Sequence, residues 1–136
     1  MPSITVKRPI QVIAIVTEDL KQELMQELQE AADGTQQRIE QMEFQGRRYL
    51  ADVQRNNLTQ AMAVRQQLEK EKTKYEDIKK ELQQRMQEVT ALEIGSEYAR
   101  GTLESEVQIA VGDNLFEKLG RAQVVIKDGV IQEIRE

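Results

Sequence analysis

The chain has no cysteine and no histidine in its 136 residues. Without cysteine there is no disulfide framework and no thiolate metal site, and a reducing compartment suits it. Without histidine it lacks the usual metal ligand and the only side chain whose unperturbed pKa lies near neutrality. Ser3, Ser96 and Ser105 therefore have no base for a conventional nucleophilic triad. Tryptophan is absent, aromatics make up 4%, and proline occurs twice. Apolar residues are 39% of the chain and charged residues 32%. That balance suits helix seams and one small core rather than a deep enzyme interior. The longest apolar run, Val12 to Val16, is too short to span a bilayer. The opening Met1-Pro2-Ser3 carries no signal-peptide pattern. The expected location is the cytoplasm, with no membrane contact.

What is abundant is seven-residue periodicity. Met25, Leu28, Ala32, Thr35, Ile39, Met42, Gly46, Tyr49 and Val53 step alternately by three and four, the seam pattern of a coiled coil. Past Val53 that frame falls on polar residues, and a shifted one takes over: Ala61, Val64, Leu68, Glu71, Tyr75, Ile78, Leu82, Arg85, Val89, Leu92. The pattern predicts helices over about residues 18–54 and 58–93. Thr17, followed by Glu18 and Asp19, supplies a helix start. Asn57 with Gln60 suits a cap after the break, and Gly95 an ending. Two nearly equal arms point to an antiparallel hairpin; the alternative is one long rod swapped between two antiparallel chains. The preferred register lays Val53 on Val64, Tyr49 on Leu68, Met42 on Tyr75 and Ile39 on Ile78, with the turn centred between Leu58 and Thr59. Glu71 and Arg85 then face the small residues Gly46 and Ala32, where a long side chain can reach water at its tip.

The flanks change period. Ile4, Val6, Ile10, Val12, Ala14 and Val16 share one parity, as in a strand, and Pro9 marks an edge or bulge. Val107, Ile109 and Val111 alternate with polar or small residues, and Tyr98 to Leu103 read as a further short strand. Gly112-Asp113-Asn114 is a turn, Leu115, Phe116 and Leu119 are candidate core plugs, and Asp128-Gly129 joins strands Ala122 to Lys127 and Val130 to Arg135 as a hairpin. The expected fold is α+β: a long antiparallel coiled-coil hairpin (residues 17–94) projecting from a small, barrel-like β-sheet base (residues 1–16 with 95–136).

Chemistry-bearing clusters have plain structural explanations. Glu69, Glu71, Glu76, Asp77 and Glu81 are interleaved with five lysines and read as a solvated, salt-bridged helix face. Neither Gly95-Ser96 nor Gly112-Asp113-Asn114 fits a phosphate loop. No catalytic residue, metal or cofactor is expected. The sharper feature is charge. Residues 17–43 carry two basic and eight acidic side chains, whereas residues 44–68 carry Arg47, Arg48, Arg55 and Arg65 against Asp52 alone. The hairpin gathers these four arginines at its tip, a candidate contact site for carboxylate or phosphate. The overall charge of −5 argues against general nucleic-acid binding. The function read from these features is a non-enzymatic binding or scaffold role through the coiled coil, with an unidentified protein or a second copy of the chain as partner. The alternatives are a nucleic-acid- or ribosome-associated factor using the arginine tip, and a holdase with Leu58 and Met62 exposed.

The layout of strand, polar coiled coil and strands, together with Gly-Ser-Glu-Tyr-Ala-Arg-Gly-Thr (95–102), Val-Gly-Asp-Asn-Leu (111–115) and Val-Val-Ile-Lys-Asp-Gly-Val-Ile-Gln-Glu-Ile (124–134), resembles the bacterial YlqD family, and the C-terminal stretch its cyanobacterial members most. The resemblance implies a cytoplasmic bacterial protein and supplies no catalytic residues.

Overall fold

The computed structural model describes residues 2–136. In chain order it contains β1 (Ser3–Ile15), α1 (Glu18–Asn56), α2 (Leu58–Ala91), β2 (Glu97–Ala110), α3 (Leu115–Leu119), β3 (Gln123–Lys127) and β4 (Val130–Arg135). Gln22–Ala91 form one compact unit; the residues through Lys21 and from Leu92 onward form a second.

The second unit is a four-stranded sheet in the order β2-β1-β3-β4. β1 runs antiparallel to β2 and parallel to β3, and β4 returns antiparallel to β3. The alternation read in β1 is the pairing seen: Ile4 faces Ile109, Val6 faces Val107 and Ile10 faces Leu103. The two short stretches expected around Tyr98 and Val107 are one continuous strand, β2. Its pairing with β1 shifts between Val12 and Ile13, where Arg100 is the extra residue. Asp128 and Gly129 both have positive φ (48° and 83°), as a two-residue turn of primed type requires. The buried residues of this unit are Ile13, Ala14, Val16, Leu20, Ala122 and Val125. Leu115, Phe116 and Leu119 do not plug it: Leu115 and Phe116 are exposed and Leu119 is half-buried. With five residues, α3 is barely longer than one turn. Its phase is set by the Asn114 side chain, which accepts from the Phe116 and Glu117 amides. Ala122 and Val125 take the interior positions instead.

Thr17 caps α1 as expected, its Oγ1 accepting from the Leu20 amide at 3.1 Å while its hydroxyl donates to Asp128 at 2.6 Å. Gly95, at φ 91°, ends the return path after α2. The segments flanking the two long helices are joined by backbone bonds from Val16 to Ser96 and from Gly95 to Val16, each 2.8 Å.

Within the helical unit the chain reverses at one non-helical residue, Asn57. The Asn57 amide still donates to Val53, its carbonyl accepts from Ala61, and its side chain accepts from the Gln60 amide at 3.2 Å. The helices are antiparallel: Lys72 reaches Glu43 at 2.9 Å and Lys79 reaches Gln36 at 2.7 Å. These contacts correct the expected register. Each α2 partner lies two or three residues earlier than the predicted pairing requires, because the turn centres on Asn57 rather than beyond Leu58. The covered stripe of α1 includes Ala32, Ile39, Gly46 and Val53, but Tyr49 is exposed and Leu50 takes its place. In α2, Lys72, Lys79 and Met86 are covered where the heptad pattern points to Glu71, Ile78 and Arg85. Arg85 instead pairs with Glu81 on its own helix at 2.9 Å.

Candidate functional site

The turn-proximal half of the helix pair is organised around Gly46. Its bare backbone admits Leu68 so closely that a Cβ built there would lie 2.8 Å from Leu68 Cδ2 and 3.0 Å from Cδ1. Gly46 thus faces Leu68, not Glu71. Two shallow grooves flank this contact, both bordered by Met42, Gly46 and Leu68. The smaller, about 230 Å³, adds Glu43, Arg47, Leu50, Arg65, Glu69 and Lys72. The larger, about 490 Å³, adds Arg38, Tyr49, Glu71 and Tyr75 among others.

The four arginines singled out by sequence do not form one cluster. Arg47 of α1 and Arg65 of α2 share the smaller groove. Arg48 and Arg55 are seven residues apart, so they lie on one face of α1, about 10 Å apart along its axis, and roughly 100° around from Arg47. Arg47 is paired with Glu43 one turn back, at 3.6 Å. Arg48 stacks over the Phe44 ring, 5.9 Å from its centroid, an attraction between cation and ring face. Arg55 and Arg65 make no ion pair or hydrogen bond among the described residues.

The groove wall also contains an organised ion pair that sequence reasoning passed over. Glu43 accepts a hydrogen bond from Lys72, which, with the charge of Lys72 and then of Arg47, holds its carboxyl below the ordinary value of 4.5. Lys72 is correspondingly raised above 10.5 by Glu43. Lysines scattered along a polar helix gave no sign that Lys72 and Lys79 cross to the other arm; only the register reveals it. Large apolar side chains lie exposed beside the arginines: Phe44 and Tyr49 on α1, Leu58 and Met62 on α2. The arrangement thus combines guanidinium groups that lack internal acceptors with uncovered apolar surface. Among the described residues, no group of three or more acidic side chains is placed to hold a metal ion, and no helix is long and apolar enough to cross a membrane.

Comparison with known proteins points one way. The chain is 28% identical over 127 residues to the uncharacterized protein YlqD of Bacillus subtilis (strain 168), covering 93% of this chain and 94% of that protein. It superposes with a TM-score of 0.93 on the crystal structure of a protein of unknown function from Synechococcus sp. WH 8102. That match is 34% identical and covers 99% of this chain and 98% of the other. The YlqD family model matches residues 4–135, nearly the whole of what has been described. The chain belongs to the YlqD family.

Proposed function

We propose that this protein is a non-catalytic binding or scaffold module whose helix pair, packed as a coiled coil, presents its turn-proximal surface to a protein partner. One observation carries the reading: Arg55 and Arg65 lack internal acceptors and lie in the same stretch as exposed Phe44, Leu58 and Met62. Arginine and large apolar groups are the residue types that dominate binding hot spots. A surface of this kind suits a partner that combines acidic groups with an apolar strip. The test is affinity capture with the full chain at cellular ionic strength, compared with the variant carrying Arg55→Glu, Leu58→Glu and Arg65→Glu. A protein held by the parent and lost by the variant supports the reading; identical recovery on both overturns it.

A second reading, a nucleic-acid- or ribosome-associated factor, is favoured by the same two unsatisfied arginines. Phosphate contacts carry a steep salt dependence through counterion release. Under that reading, retention of RNA falls sharply between low and physiological salt and disappears when Arg55 and Arg65 are replaced by Glu.

A further inference from the structure

The side of α1 turned away from α2 carries a second heptad pattern, and its charge changes sign along the helix. Glu30 and Arg48 each stand nine residues from the covered Ile39. Nine residues are two and a half turns, so both lie opposite the seam with α2. Steps of three and four through these two positions trace one continuous stripe. Glu23, Glu27 and Glu30 open it. Gly34, Gln37, Gln41 and Phe44 fill its middle, and Arg48, Ala51 and Arg55 close it. Every one of these positions is exposed.

Such a stripe is complementary to itself when reversed. Antiparallel helices pair an a position with a d position, so opposed residue numbers keep a constant sum. A two-fold axis at the level of Ile39 sets Glu30 against Arg48 of a second copy and Glu23 against Arg55. The same axis sets Gly34 against Phe44 and Gln37 against Gln41, while Glu27 lies over the small Ala51. Each pairing occurs twice, because an isologous contact repeats across its axis. The Phe44 ring then meets a glycine with no heavy atom within 4 Å of where a Cβ would go. The glutamines meet beside the axis, each able to donate and to accept. A slip of one heptad keeps only one of the two kinds of ion pair. In one direction Phe44 falls on Glu27, and in the other Arg48 falls on Gln37. A parallel pair sets Glu30 on Glu30 and Arg48 on Arg48.

We infer that α1 is a dimerisation helix, pairing antiparallel with α1 of a second copy through this outer stripe. Internal contacts leave its charges within reach. Arg55 makes no ion pair or hydrogen bond among the described residues. Arg48 rests on the Phe44 ring of its own helix, and Glu30 accepts from Gln26 one turn back at 3.4 Å. Two flanking groups oppose the pairing: Arg38 and Glu40 lie beside the axis, and each approaches its own counterpart. The stripe from Glu23 to Arg55 is about 48 Å long and about 10 Å wide, on the order of 480 Å² in projection. That is below the ~800 Å² per partner of a stable interface, so the dimer belongs to the weak, exchanging class. Its ion pairs are exposed, so salt weakens it further. The inference does not rest on the partner surface proposed above, and it leaves Arg65, Leu58 and Met62 uncovered.

Sedimentation equilibrium of the full chain at low ionic strength, from micromolar to hundreds of micromolar, tests the inference. The expected result is a monomer–dimer equilibrium that added salt shifts toward monomer. Glu30→Arg creates like-charge contacts at two symmetric places and should weaken the dimer at least ~10-fold, as should Arg48→Glu. Both substitutions in one chain should restore it, with far-UV circular dichroism unchanged throughout. A chain that stays monomeric over the whole range overturns the inference, as does a double variant that associates no better than the single ones. None of these variants alters Arg55, Leu58 or Arg65, so loss of the dimer and loss of a captured partner are read separately. A second measurement uses the absence of native cysteine. Chains carrying Gln37→Cys, mixed with chains carrying Gln41→Cys and oxidised, should form the mixed disulfide in preference to either self-disulfide. A mixed yield no greater than chance rejects the register.

Discussion

Gly34 and Gly46 are both interior residues of α1, yet alanine should act on them in opposite directions. At an exposed interior site, Gly→Ala raises helix stability by ~1 kcal/mol, because alanine loses less backbone freedom on folding. Gly34 has no heavy atom within 4 Å of where a Cβ would go, so Gly34→Ala should deliver that gain in full. At Gly46 the new methyl would lie 2.8 Å from Leu68 Cδ2. Leu68 must then leave its rotamer well or push α2 away, and overpacking of this kind costs ~1–3 kcal/mol. Set against the same ~1 kcal/mol propensity gain, the net for Gly46→Ala runs from neutral to a loss of ~2 kcal/mol. Urea unfolding followed at 222 nm measures both. The decisive comparison uses the double variant Gly46→Ala, Leu68→Ala. With the leucine side chain removed, Gly46→Ala should stabilise the Leu68→Ala background by about as much as Gly34→Ala stabilises the parent. If Gly46→Ala alone matches Gly34→Ala, the wedge of Leu68 on the glycine backbone is not where the two arms are closest, and the corrected register fails with it.

Asn57→Ala removes the cap on the Gln60 amide and should cost about 0.5–2 kcal/mol, read in the same urea assay; no loss would mean the reversal is held by other contacts. The Glu43–Lys72 pair has a defined pH window. Glu43 is lowered below 4.5, so its contribution is present above that value and fades as pH falls through the lowered one. Lys72 is raised above 10.5, so its contribution is present below that value and fades as pH climbs through the raised one. In Lys72→Gln, carbon-detected NMR should find Glu43 titrating closer to 4.5, with Glu97 unmoved as a control. Glu97 is lowered by its hydrogen bond from Arg135, and Arg135→Gln should release it upward; an unchanged Glu97 would show that the outer strands do not meet in solution. Gly129→Ala forces a side chain onto φ 83° and should lower the melting temperature of the sheet, whereas Gly101→Ala meets no atom within 4 Å and should not.

Much of this fold is legible because its periods are simple. The parity of Ile4, Val6, Ile10 and Val12 gives one face of β1, and Asp128-Gly129 gives the turn after β3. The α1 seam is legible from Ala32, Ile39 and Val53, small or branched side chains recurring in a polar background. The α2 stripe misleads because Ile78 looks like a seam residue. The covered positions lie one residue on, at Lys72, Lys79 and Met86, themselves seven residues apart, so the heptad persists but faces α1 with a neighbouring stripe. Lysine covers such positions with its methylene stem while its ammonium reaches the opposite arm, a role that hydropathy cannot distinguish from a solvated charge. The tip is legible as composition and not as geometry. Four arginines within a short stretch suggest one patch, but helical angles divide them between the smaller groove and the outer face. The grouping of Leu115 and Phe116 with the core fails for a related reason: the Asn114 cap, not hydrophobicity, sets the phase of a helix this short.

The place of β1 in the sheet has a consequence for biosynthesis. This earliest strand lies between β2 and β3, both made after the two long helices, and Ile15 first finds a neighbour in Glu97. At ~5–20 residues per second, the intervening stretch of about 80 residues takes about 4–16 s to translate. Throughout that interval a β-prone segment rich in isoleucine and valine waits on the ribosome without its ladder. The helices can pair as they emerge, since their contacts are local, but the sheet closes only after the last strands have left the exit tunnel. A nascent chain stalled before Glu97 would therefore hold a finished helical arm and an orphaned sticky strand, a substrate for the cell's chaperones rather than a half-working protein.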